Sequence, residues 1–217
     1  MKKIKRIELW LGIGFAVAFV IWTALLRLVD LRPIGALETS VGLGGFNGWF
    51  HGLTGENMTL YTLTDWAGLV PFAVAAGFAV LGLVQWIKRK NILKVDRSIL
   101  VLGLFYIAVI GAYLLFEYLV INYRPLLIEG RLEASYPSST TLLTVCVMTT
   151  AAIQLWGRIK NRGLGIAVVS VITVFTVLTV LGRVLSGVHW ITDIIGGGLL
   201  SAALVLLYCA FAHTEEK

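Results

Sequence analysis

The chain has 217 residues, 58% of them hydrophobic and only 14% charged, with a formal net charge of +6. A soluble chain of this length needs a charged surface over its core, so this composition excludes a soluble globular protein. The mean hydropathy of +0.88 agrees.

Lys2, Lys3, Lys5 and Arg6 precede the first apolar run, Leu9–Leu28. About 20 apolar residues cross the hydrocarbon core as a helix. This run has that length and lacks a small-x-small cleavage site, so it reads as a retained membrane helix and not a signal peptide. The stretch from Asp30 to Asp65 is the one long non-spanning segment. It carries Gly42, Gly44, Gly45, Gly48, Gly52 and Gly55 between Phe46, Trp49 and Phe50. Glycine with aromatics predicts a short interfacial helix or re-entrant turn over the mouth of the bundle. Five more runs follow: Trp66–Ile87, Ile99–Ile121, Ser138–Trp156, Leu164–Leu185 and Ile191–Ala212. The fourth run in the chain is short and rich in Thr. Cys146 and Cys209 fall inside runs and read as small apolar residues, neither disulfide nor metal ligands. The expected fold is all-α: a polytopic membrane helical bundle of about six transmembrane helices, one domain over residues 1–217, with its polar motifs between 117 and 193.

The basic residues set a sidedness. Lys88, Arg89, Lys90, Lys94 and Arg97 separate the second and third runs, Arg158, Lys160 and Arg162 separate the fourth and fifth, and Lys217 ends the chain. With the N-terminal cluster they fall on one side of a six-span topology. The positive-inside rule makes that side cytoplasmic, with both termini. The net charge is then a topology signal and a rim for anionic lipid; the partner it implies is the bilayer, not nucleic acid.

The remaining polar residues gather on the opposite side, where an ionised group near a span is costly unless paired or wet. His189 and Asp193 are four residues apart at a helix start, so they share a face. An Asp that accepts one imidazole N–H would fix the tautomer and leave the other nitrogen free as nucleophile or base. Arg183 precedes them across Ser186-Gly187. Arg124 suits a phosphate or carboxylate. Pro137-Ser138-Ser139-Thr140 opens the fourth run, where hydroxyls and free backbone N–H groups form an anion site. Together these residues point to an anionic substrate held while His189 attacks it.

Three segments, Glu117-x6-Arg124-Pro125, Pro137-Ser138-Ser139-Thr140 and Gly182-Arg183-x5-His189-x3-Asp193, resemble the signatures of the type 2 phosphatidic acid phosphatase superfamily. That family includes membrane lipid phosphatases and vanadium haloperoxidases. Its pattern is Lys-x6-Arg-Pro, Pro-Ser-Gly-His and Ser-Arg-x5-His-x3-Asp. The resemblance implies a phosphatase without metal or cofactor, in which His189 forms a phosphohistidine and Asp193 orients it. Arg124 and Arg183 would bind the phosphoryl oxygens, with Ser138, Ser139 and Thr140 adding hydrogen bonds. The implied substrate is a lipid phosphate or diphosphate, of phosphatidic acid, phosphatidylglycerophosphate or undecaprenyl diphosphate type, met at the outer face of a bacterial membrane.

Four positions depart from the pattern: Ser139 stands for the Gly and Gly182 for the Ser, and two departures bear on the chemistry. Glu117 stands for the Lys, and Thr140 for the His that protonates the leaving group. A Thr hydroxyl is no general acid near neutral pH. Glu117, Glu129 or Glu133 could supply the proton, or the leaving group could depart without one, as the phosphate of a diphosphate would; Glu117 could also pair with Arg124 and hold it. The departures also leave open a non-catalytic phospholipid binder or transporter, and a transferase of phospho-head groups.

Overall fold

In the computed structural model, residues 2–212 are described; Lys217 lies outside them. Among these residues the α-helices are α1 (Lys2–Leu28), α2 (Gly44–Thr54), α3 (Met58–Ala67), α4 (Leu69–Arg89), α5 (Arg97–Leu119), α6 (Ser139–Arg158), α7 (Arg162–Ser186) and α8 (Ile191–Ala212). A two-residue ribbon, β1 (Arg32–Pro33) with antiparallel β2 (Ser40–Val41), is the sheet they contain. Six helical segments are long and apolar enough to cross a membrane, with α3 and α4 acting together as one of them, Met58–Arg89. The all-α bundle is as the composition requires.

The second span begins at Met58 and not at Trp66. Asn57 caps α3 by accepting from the backbone N–H of Leu60 at 3.0 Å, and Thr59, Thr62, Thr64 and Asp65 keep this first part polar. Pro71, in the first turn of α4, lacks a backbone N–H, so the helix is interrupted at Gly68.

α6 and α8 are the inner helices. The Thr residues of α6 explain why: Thr140, Thr141, Thr144, Thr150 and Gln154 are buried, away from lipid that cannot hydrogen-bond them. Thr150 returns its hydroxyl proton to the Cys146 carbonyl at 2.8 Å. α7, by contrast, turns Val171, Val174, Leu178, Leu181 and Leu185 outward, as a lipid-facing helix does.

α2 is the short helix expected in the glycine-rich segment. Phe46, Trp49 and Leu53 are exposed along one ridge, while Asn47 on the other side is fully buried. The Asn47 amide donates to the Gly42 carbonyl at 2.8 Å and the Thr192 hydroxyl at 2.9 Å, tying α2 to the start of α8.

The alternating helices sort the connections to two ends. The 89–97 and 158–162 turns share one end, where Asp96 pairs with Arg89 at 2.9 Å and lies 3.9 Å from Arg158. The ends of α1, α5 and α7 meet the starts of α3, α6 and α8 at the other. Two contacts close that second end. The Asn57 N–H donates to the Ser186 carbonyl at 2.9 Å, and Tyr136 shares a 2.7 Å hydrogen bond with Thr23. Gly196 makes the second contact possible, since a Cβ there would lie 2.4 Å from the Tyr136 ring.

Candidate active site

His189 sits in the short turn between α7 and α8, almost wholly buried. Its Nδ1 lies 3.1 Å from the backbone carbonyl of Ser135. A carbonyl oxygen only accepts, so Nδ1 carries the proton and Nε2 is left with its lone pair. Nε2 is buried and makes no hydrogen bond among the described residues. This differs from the expectation that Asp193 holds the ring. Asp193 Oδ2 is 3.7 Å from Nδ1, beyond hydrogen-bond range. The carboxylate accepts instead from the Trp190 N–H at 3.0 Å and from the Asn122 amide at 3.4 Å. As the third residue of α8 reaching back to the residue before the helix, Asp193 closes the acidic half of a capping box. It still places its carboxyl group beside the ring.

Burial pushes the His189 pKa well below the usual 6.5, and the nearby charges of Arg124 and Arg183 push the same way. A sign follows for stability. Between the lowered folded value and 6.5 the unfolded chain binds more protons, so stability is full above 6.5 and is lost as pH falls below it. Thermal unfolding in detergent between about pH 5 and pH 7 should show this decline, and His189→Gln should flatten it.

Arg183, 1% exposed, donates through one nitrogen, Nη2, to Asp65 at 2.8 Å and to the Thr140 hydroxyl at 2.7 Å. Its Nε and Nη1 are buried without partners. Arg124, also buried, reaches the site from the 119–139 loop, which is a small hairpin. Its rungs pair Tyr123 with Ala134 and Ile128 with Arg131, and the Arg124 N–H donates to the Glu133 carbonyl at 3.1 Å. Glu133 therefore stands across from Arg124, and its carboxylate is 3.1 Å from Nε. The N–H does not aim at that oxygen, so the contact is an ion pair and not a hydrogen bond; Arg124 Nε and Nη1 remain without hydrogen-bond partners. The expected pairing of Glu117 with Arg124 is thereby corrected. Glu117, exposed on the last turn of α5, lines a narrow pocket of about 10 Å³ with Tyr113, Tyr136, Ser139 and His189. That is room for roughly one water.

Ser138 also differs from expectation. Its N–H donates to the Asp193 carbonyl at 3.0 Å, and its hydroxyl accepts from Thr141 Oγ1 at 3.1 Å. It is the cap of α6 and fixes α6 to α8. Ser139 and Thr140 are the first two residues of the helix, and their N–H groups have no partner inside it.

Two residues of α3 join the site without a forewarning motif. The Tyr61 ring lies 5.0 Å from the Arg183 guanidinium carbon and 6.0 Å from that of Arg124, and Asp65 holds Arg183. Their spacing of one helical turn was a signal, but an aromatic and an acid at i, i+4 near a helix start have many other uses. His51 stays apart from the chemistry, with Nε2 at 3.1 Å from the Gly187 carbonyl.

Thus a buried imidazole nitrogen without a partner among the described residues lies within the electrostatic reach of two buried guanidiniums, one of them bonded to Thr140 at the start of α6, an arrangement that suits a tetrahedral anion. A sequence model of the PAP2 superfamily matches residues 118–217. The matched stretch holds Arg124, Ser139, Thr140, Arg183, His189 and Asp193, and Glu117 lies one residue before it. A likeness of fold reaches beyond the matched stretch. A crystal structure of a transmembrane PAP2-type phosphatidylglycerolphosphate phosphatase from Bacillus subtilis superposes with a TM-score of 0.68, covering 96% of this chain and 100% of that one at 16% identity. No curated protein sequence matches the chain.

Proposed function

We propose that the protein is an integral membrane phosphatase that hydrolyses a lipid phosphate or diphosphate through a phosphohistidine. The observation that carries this reading is the buried Nε2 of His189, without a hydrogen-bond partner among the described residues, in a ring that feels the charges of Arg124 and Arg183, whose buried Nε and Nη1 atoms make no hydrogen bonds either. His189 Nε2 attacks phosphorus while the guanidiniums and the N–H groups of Ser139 and Thr140 take the charge developing on the phosphoryl oxygens. Because Nδ1 keeps its proton on Ser135, the phosphorylated ring is cationic. Asp193, 3.7 Å away, stabilises that cation by charge without taking the proton. Water then cleaves the phosphorus–nitrogen bond and releases phosphate.

The basic segments gather at the far end of the bundle, so the positive-inside rule puts His189 at the extracytoplasmic face with both termini cytoplasmic. A lipid head group would meet it at the bilayer edge. Phosphatidic acid, phosphatidylglycerophosphate and undecaprenyl diphosphate types are the substrates to screen.

The test is a trapped intermediate. Protein incubated with a lipid phosphate or diphosphate labelled in its terminal phosphate should acquire acid-labile, base-stable label that maps to His189. Turnover without a phosphoenzyme, after quenching at times shorter than one cycle, would sink the mechanism.

A further inference from the structure

The site's hydrogen-bonding groups narrow the substrate class, given the phosphatase reading above. Breaking a phosphate ester of an alcohol expels an alkoxide, which needs a proton from a positioned acid as the bond breaks. The groups that surround the two guanidiniums do not offer one; Glu117, which shares a pocket with His189, stands exposed at the end of α5. Arg124 and Arg183 keep their protons at any working pH. Asp65 and Glu133 are each paired with one of those arginines. Asp193 is occupied by the Trp190 N–H and the Asn122 amide. The group beside Arg183 at the start of α6 is the Thr140 hydroxyl, 2.7 Å from Nη2, and an alcohol is far too weak an acid.

A phosphoanhydride removes the requirement. Its leaving group is a phosphate monoester, whose second pKa is about 6, so it departs as a stable anion without protonation. The open donors are also numerous: Nε and Nη1 of both arginines are buried without hydrogen-bond partners.

We infer that the site is selective for lipid diphosphates and stops at the lipid monophosphate. His189 Nε2 attacks the terminal phosphorus, and the bond from that phosphorus to the bridging oxygen breaks. The electron pair stays on the bridging oxygen, which becomes an oxygen of the lipid monophosphate. Water then attacks the phosphohistidine, releasing inorganic phosphate and a proton and restoring neutral His189. Thr140 is the residue that sets this limit.

The experiment compares dioleoylglycerol diphosphate with dioleoyl phosphatidic acid, on identical tails, in detergent micelles. The diphosphate should release a single phosphate and leave phosphatidic acid accumulating. Its kcat/KM should exceed that of phosphatidic acid by about 10²–10⁴, the usual worth of a positioned acid. Thr140→His, which introduces a titratable donor at that point, should raise turnover of phosphatidic acid and narrow the ratio. Comparable kcat/KM for both lipids in the unaltered protein would overturn the proposal; loss of the phosphatidic acid activity in Glu117→Gln or Tyr61→Phe would then identify the acid. If neither lipid gives His189-dependent turnover, the phosphatase reading itself fails, which is a separate result.

Discussion

His189→Ala protein is expected to release phosphate at the background rate, a loss on the order of 10⁴ or more, as when a covalent nucleophile is removed. The reason is geometric. His189 Nε2 is a buried lone pair in a ring that feels the charge of both guanidiniums, and the neighbouring polar groups already have other work. Ser135 offers its carbonyl to Nδ1, and Asp193 is bound by Trp190 and Asn122. The substitution leaves the Ser135 carbonyl without this bond, which costs about 1–3 kcal/mol of stability for an unsatisfied buried group. That is too little to account for the rate loss by unfolding. Thermal unfolding of the purified variant, beside the activity assay, separates the two. A folded His189→Ala protein that retains even a tenth of its turnover would exclude His189 as nucleophile.

Gly187→Ala is expected to lower both stability and turnover sharply, although residue 187 touches no reacting atom. Gly187 ends α7 at φ +66, ψ 7, a left-handed conformation that costs an L-residue about 1–2 kcal/mol. A larger effect comes from its neighbour: a Cβ here would lie 1.8 Å from the Gly55 carbonyl oxygen. Backbone must then move, and that backbone leads directly into α3. Asn57 is bonded to Ser186, and Tyr61 and Asp65 on α3 flank Arg183. Displacing α3 therefore loosens the arginine and the turn carrying His189 together. Gly187→Asn distinguishes the two causes. Asn tolerates the left-handed region but carries the same Cβ, so overlap with Gly55 predicts that it fails as Ala does. Recovery of the unfolding temperature by Asn would mean that conformation alone mattered.

The parts of this protein legible in its sequence depend on composition or on short spacing. Lipid demands apolar length, so six spans could be counted from the runs, and their basic flanks sorted them to two sides. His189 and Asp193 could be related because four residues on a helix place side chains on one face. Even there the spacing promised more than the structure delivers, since the hydrogen bond to the ring comes from the Ser135 carbonyl. A backbone acceptor has no residue type to reveal it.

The second span's start was obscured because a hydropathy window sees the hydroxyls of Thr62 and Thr64 as polar, whereas the helix satisfies them on its own carbonyls. Thr64 Oγ1, for example, donates to the Leu60 carbonyl at 2.7 Å. The partner of Arg124 was hidden for another reason. Glu117 has the spacing of a motif, but the 119–139 loop folds back on itself, and its hairpin register puts Glu133 opposite Arg124. Register depends on the whole turn and not on any one residue.

By itself, then, the sequence determined a membrane-spanning helical bundle and a His–Arg–Arg set clustered at one of its ends, because hydrophobic length and helical periodicity are local properties. Only the tertiary structure decided which groups hold those residues: Ser135 for His189, Glu133 for Arg124, and Asp65, Thr140 and the Tyr61 ring for Arg183. Those contacts join separate helices and loops, and their distances follow from how the helices pack and where a missing Cβ lets two backbones meet.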